Sequence, residues 1–297
     1  MKIGDTHTIQ VTFSQTDFDR FADLSGDDNP IHVDPVFAAR TKFGRTVAHG
    51  MLLYSTLIQI MGKTFPGPGS RQLTQDLMFP SPTFVGENLN FMLEVVGQPF
   101  PDTIEITTKI IRPSGELGCA GKTLAALPGC SPEKINLPVQ PLPPAALDHD
   151  PGSANLHGLA LGRAAENTYR IDPDDHRSYL QLLSEQNPLH TDSGYAQKLG
   201  FRDVLLTGGE LGGMISHLLG TQLPGRGTNW LKQQFEFIKP VYPGEPVTGR
   251  VQITRLRPEK DLVNLTTRHL NQAGELLVSG EALVWISDLE RRTDAQD

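Results

Sequence analysis

This chain should form an α+β protein made of two like domains in tandem, each a long buried helix wrapped by antiparallel strands. Three observations predict it. First, residues 21–89 align with 179–247 without gaps, at a constant offset of 158. Asn29-Pro30-x-His32-x-Asp34 returns as Asn187-Pro188-x-His190-x-Asp192, Gly62-x-x-x-Pro66-Gly67-x-Gly69 as Gly220-x-x-x-Pro224-Gly225-x-Gly227, and Pro82-x-x-x-Gly86-Glu87 as Pro240-x-x-x-Gly244-Glu245. One inserted residue later, Gly115-Glu116-Leu117 returns as Gly274-Glu275-Leu276. Register held that long marks a duplication. Second, each copy has one helix-length segment that is apolar almost all round, so it belongs inside. Third, that segment is followed by several stretches of strand character.

The elements follow in order. Ser14 is placed to cap a short helix through Phe21 and Leu24. Asp34-Pro35 reads as an N-cap with proline at the first helical position, opening a helix to about Lys42. The buried helix begins near Gly50, carries Met51, Leu52, Leu53, Leu57, Ile58, Ile60 and Met61, and ends at Gly62. Strands are expected over 72–79, 88–98, 103–113 and 117–127; Thr103-Ile104-Glu105-Ile106-Thr107 alternates plainly. Seven prolines between Pro128 and Pro151 mark a semi-rigid connector. The expected division is a first domain over 1–127, a connector over 128–165 and a second domain over 166–297.

With 297 residues, 38% hydrophobic and 20% charged, the chain can bury real cores. A net charge of -8 argues against a nucleic-acid partner, which usually meets a basic face. Two cysteines, Cys119 and Cys130, give neither metal-ligand spacing nor a disulfide framework, so no metal is expected and free thiols in a reducing compartment are. No apolar run reaches membrane-spanning length, the start has no signal core, and the end (Asp-Ala-Gln-Asp) carries no Ser-Lys-Leu address. A cytoplasmic location without membrane insertion is the expectation.

Chemistry concentrates in Asp27-Asp28-Asn29-Pro30-Ile31-His32. Pro30 keeps Asn29 out of the helical region, so a carboxylate and an imidazole sit on a loop that can fold back on one substrate atom. Acid and base meeting there could move a water proton at neutral pH. Taken alone, Asp27 could equally cap a turn and His32 be a satisfied core histidine. Context adds Gly26, Asp34, Phe43 and Ala48-His49-Gly50-Met51.

Together these residues closely resemble the MaoC-like hydratase family, above all its (R)-specific enoyl-CoA hydratases. The family pattern is Gly-Asp-x-Asn-Pro-x-His-x-Asp, then Ala-His-Gly-Met about fifteen residues later. The resemblance covers 5–127 well and 170–287 with a weaker motif. It implies two hot-dog folds paired as a pseudo-dimer, and reversible syn addition of water to a trans-2-enoyl-CoA. It implies no cofactor, coenzyme A arriving as the substrate's carrier. On that reading Asp27 and His32 activate water and return a proton to C2. The Gly50 N–H, at a helix start, stabilises the thioester enolate. Asn29 orients the loop or the water. Ser55 falls where the family carries a serine near the pair, and could equally be a helix serine bonding its own backbone. Asp28 should point outward, Asp34 should cap a helix, and His49 should pack at the helix start, with ligand contact as its alternative. Arg40, Lys42, Arg45, Lys63 and Arg71 are candidates for the carrier phosphates.

The second copy keeps the residue types at Glu185, Asn187, His190 and Gly208, a second site in outline. Ser184 replaces Gly26, Thr207 replaces His49, and Gly209, Gly212 and Gly213 replace Met51, Tyr54 and Ser55. A carboxylate displaced by about an ångström can cost on the order of 10²-fold. The expectation is therefore that this copy completes the interface, its glycines opening room for a longer or bulkier acyl chain. A hot-dog thioesterase, a 3-hydroxyacyl-acyl-carrier-protein dehydratase and a non-catalytic acyl-CoA-binding protein stay open as alternatives. So does a homodimer of the paired folds.

Overall fold

The computed structural model describes residues 1–130 and 156–289. The first copy runs β1 (Thr6–Thr12), α1 (Gln15–Ser25), α2 (Pro30–Val33), α3 (Pro35–Ala38), α4 (Gly50–Lys63), β2 (Arg71–Met78), β3 (Asn88–Gly97), β4 (Thr103–Ile111) and β5 (Leu117–Ala126). The second runs β6 (Ala164–Arg170), α5 (Pro173–Leu183), α6 (Pro188–Thr191), α7 (Ser193–Lys198), α8 (Gly208–His217), β7 (Asn229–Phe237), β8 (Pro246–Arg257), β9 (Leu262–Leu270) and β10 (Leu276–Trp285). The shared element order bears out the duplication.

The ten strands form one sheet, ordered β1-β3-β4-β5-β2-β7-β10-β9-β8-β6. The copies join where β2 pairs antiparallel with β7, Thr74 opposite Glu236 and Met78 opposite Lys232. Helices α4 and α8 lie against each other under that seam. α4 is buried at Met51–Ile58 and Ile60–Gly62, as its all-round apolar sequence requires. One continuous apolar core takes in residues of both copies, from Phe18 and Leu57 to Ile215 and Val284.

Local chemistry sets the ends of the elements. Ser14 caps α1 in a reciprocal capping box with Asp17. Gly26 closes α1 in the left-handed region at φ 75°; Ser184 does the same for α5 at φ 54°. Asn29 is the N-cap of α2, with Pro30 at its first position, so His32 sits on a helical turn rather than on an open loop. Asp34 caps α3 as expected, accepting from the Val36 and Phe37 N–H groups. That helix stops at Ala38, four residues short of the expected Lys42. β1 was not expected, although Ile9, Val11 and Phe13 alternate with polar residues; its burial pattern is mostly exposed, as suits an edge strand. α8 passes into a π-helical turn over Leu218–Gln222 where α4 continues as α-helix.

Most of the expected connector, 131–155, lies outside the described residues. Its last part is packed: Leu156 and Leu159 are buried in the core, and β6 already begins at Ala164.

Candidate active site

The first site is assembled by the turn after α1, by α2, and by the start of α4. Asp27 is 2% exposed and His32 is 8% exposed. A carboxylate oxygen of Asp27 and a ring nitrogen each of His32 and His49 lie within 4.8 Å of one another. Asp27 and His32 line a cleft of about 810 Å³, open mouth included, together with Gly50, Phe79 and Trp230.

Hydrogen bonds fix the tautomers. A backbone carbonyl can only accept. His32 Nδ1 lies 2.7 Å from the Val47 carbonyl and so carries the proton, which leaves Nε2 with a lone pair. His49 Nε2 donates to the Asp27 carbonyl at 3.0 Å and thereby holds the loop. The two imidazoles stack with centroids 3.8 Å apart. Burial pushes the His32 imidazole down to about 4, against the pull of its Val47 bond. Burial also holds His49 well below its usual value. Both rings are neutral near pH 7.

Asp27 moves the other way. Burial pushes its carboxyl up to about 7, partly offset by hydrogen bonds from Ser216 and the Asn29 N–H. Asn29 N donates to Oδ1 at 3.2 Å, and Ser216 Oγ donates to Oδ2 at 2.5 Å. Ser216 belongs to α8, so the second copy supplies part of the first site. Asp28 points outward, 65% exposed, and pairs with Arg226.

Asn29 has a larger task than orienting its own loop. Its Nδ2 donates to the Thr228 carbonyl at 2.9 Å, and its Oδ1 accepts from Gly227 N at 3.0 Å, both in the other copy. Asn187 repeats the clamp in reverse: it donates to the Ser70 carbonyl and accepts from Gly69 N, each at 2.9 Å.

Gly50 opens α4, where the first N–H groups have no intrahelical acceptor. A Cβ there would stand 2.9 Å from the Phe79 ring, so glycine alone fits between helix start and cleft wall. Ser55 follows the second of its two readings, a helix serine bonding its own backbone: its Oγ donates to the Met51 carbonyl and meets Tyr179 Oη at 2.5 Å. Ser216, one turn further along the other copy's helix, holds the carboxylate instead. A hydroxyl reaching Asp27 across the interface has no signature in local sequence.

The second site is built alike. His190 Nδ1 lies 2.8 Å from the Leu205 carbonyl, and burial pushes the ring down to about 4. Glu185 Oε1 accepts from Gln186 N at 2.8 Å and Asn187 N at 2.7 Å, and burial pushes its carboxyl up to about 7. Ile58 stands 158 residues before Ser216, so no hydroxyl arrives there, and Glu185 Oε2 is buried without a partner. His176 and Glu210, absent from the expectations, form a buried pair at the start of α8, 2.7 Å apart. His176 Nε2 also faces the His190 carbonyl, so both ring nitrogens meet oxygen acceptors, an arrangement that favours the imidazolium. Burial alone would lower its pKa; the Glu210 hydrogen bond and charge outweigh that and raise it. Phe18 and Leu52 hold these places in the first copy.

The room expected from the α8 glycines is not there. A Cβ on Gly209 would collide with Ser55 and Tyr179, one on Gly212 would stand 2.6 Å from Met51 Sδ, and one on Gly213 3.1 Å from Ser25 Cβ. Side chains of the first copy and of α5 fill the space, and the glycines let the helices approach. Of the five basic candidates, Lys42 lines the first cleft, its ammonium 3.2 Å from the centroid of the Trp285 ring. Arg71 lines a different one, beside the second site.

Comparison with known proteins fits the duplication. The MaoC like domain matches residues 2–112 and 160–273, and the chain belongs to that family. The (R)-specific enoyl-CoA hydratase of Aeromonas caviae is 38% identical over 130 residues, 44% of this chain and 97% of that protein. A solved structure described as a MaoC-like dehydratase superposes with a TM-score of 0.77 at 16% identity, covering 95% of this chain and 98% of that one. A Mycobacterium tuberculosis protein described as having a double hot-dog fold gives 0.70 at 17% identity, covering 96% of each chain. These two establish the fold: a double hot-dog. Among the described residues, no helix is long and apolar enough to cross a membrane.

Proposed function

We propose that the first site reversibly hydrates the C2–C3 double bond of a trans-2-enoyl-CoA, giving the (R)-3-hydroxyacyl-CoA. The observation that carries this reading is the pairing of a ring nitrogen with a carboxyl oxygen within 4.8 Å, His32 and Asp27 lining one cleft, where burial favours the neutral form of each. Hydration consumes a base and an acid in one step. His32 Nε2 takes a proton from water as the oxygen attacks C3. Neutral Asp27 delivers a proton to C2. The thioester oxygen gathers charge meanwhile and is met by the Gly50 N–H and the α4 helix start. Ser216 and the Asn29 N–H receive the carboxylate that Asp27 becomes. Likeness to the Aeromonas caviae hydratase supports the substrate and its handedness.

The reactive form has His32 neutral and Asp27 protonated. The kcat/KM should therefore rise through pH about 4 and fall above about 7. Following the loss of conjugated thioester absorbance of crotonyl-CoA tests this. Asp27→Asn and His32→Ala should each lose roughly 10²–10⁴-fold. A rate still climbing at pH 9 would reverse the assignment of acid and base. Release of free CoA without loss of the double bond would mean thioester hydrolysis instead.

A further inference from the structure

The second cleft holds a cation that no carboxylate of the described residues balances. It measures about 710 Å³ with its mouth and is lined by Asn187, His190, Gly208, Phe237, Arg71 and Lys239. Lys239 is already engaged at the rim by Glu275, 3.0 Å away. Arg71 is not: among the described residues no carboxylate pairs with it, and its Nε is buried without a hydrogen-bond partner. Its guanidinium lies 5.7 Å from the centroid of the Phe201 ring, and burial lowers its pKa. The first cleft has the neutral Asn229 at the equivalent position, 158 residues on.

A guanidinium withdrawn from water without a counter-charge is costly, and an incoming anion relieves that cost. Planar donors in a fixed fork suit phosphate and carboxylate alike. Arg71 directly follows Ser70, whose carbonyl accepts from Asn187, so the cation borders the acid-base residues of this copy. We propose that the second cleft is a separate binding site for an anionic acyl thioester, with Arg71 as counter-ion to a carrier phosphate or an acyl carboxylate. The ligand class rests on the thioester reading of the first site; the anion does not.

Calorimetric titration of the full chain with butyryl-CoA, which has no double bond to hydrate, tests it. Two equivalents should bind, and if the carrier phosphate is read Arg71→Gln should weaken one of them at least tenfold, with Arg71→Lys recovering part of the loss. Butyryl-pantetheine and glutaryl-CoA locate the charge. If the carrier phosphate is read, Arg71→Gln leaves butyryl-pantetheine binding unchanged. If an acyl carboxylate is read, glutaryl-CoA binds the second cleft more tightly than butyryl-CoA, and Arg71→Gln erases the gain. One equivalent with every probe, or two that Arg71→Gln leaves untouched with butyryl-CoA and glutaryl-CoA alike, overturns the proposal. A protein that hydrates crotonyl-CoA but binds one equivalent keeps the first-site reading and loses this one.

Discussion

Asp27 and His32 began as residue types suited to moving a proton, and their surroundings divide the labour between them. Both are buried, and burial acts on them in opposite senses because it disfavours charge. The acid is pushed towards its neutral form and the base likewise, giving the acid-base pair that hydration needs. Ser216 adjusts the balance by favouring the ionised carboxylate. Ser216→Ala should therefore raise the Asp27 pKa and move the alkaline limb of the kcat/KM profile upward, with the acid limb near 4 unchanged. Unchanged limbs in both directions would mean that the serine does not tune the acid. Asp27, Asn29 and His32 were legible in sequence because the turn that unites them is local. Ser216 was not, lying 189 residues away from Asp27.

At the scale of elements, the two long helices start differently. α4 begins at an uncapped His49 whose ring faces Phe18 and Phe21. α8 begins with a capping box between Thr207 and Glu210, and Glu210 in turn holds His176. A carboxylate in the first turn draws on the positive end of α8, whereas the first turn of α4 carries none. Because the folded His176 pKa is raised, its stabilising contribution is complete below about 6.5 and fades as pH rises through the folded value. His176→Phe with Glu210→Leu restores the first copy's residues. Urea midpoints between pH 6 and 9 should show the wild type losing an increment of stability that the double variant lacks. Parallel curves would show that the pair carries no proton-linked stability. Helix and strand spans were largely readable, since an all-round apolar run and period-two alternation are local patterns. β1 also alternates, at Ile9, Val11 and Phe13, whereas the early stop of α3 has no such local mark.

Across the whole molecule, each copy finishes the other's site. Asn29 and Asn187 reach across the interface to the same two kinds of backbone group, so neither loop is complete inside its own copy. Asn187→Ala strands the Gly69 N–H and the Ser70 carbonyl and should cost about 1–3 kcal/mol. Calorimetry should show one unfolding transition moved down as a unit, because sheet and core are shared; two separated transitions would count against that coupling. The sequence by itself determined the duplication, the central helices, most strands and the paired acid-base motifs, since each rests on contacts within a few dozen residues. Only the tertiary structure decided that Ser216 rather than Ser55 serves Asp27, that the α8 glycines are filled rather than open, and that Arg71 belongs to the second cleft. The reason in each case is the same: the deciding neighbour comes from the other copy, and packing between copies leaves no periodicity for a sequence to show.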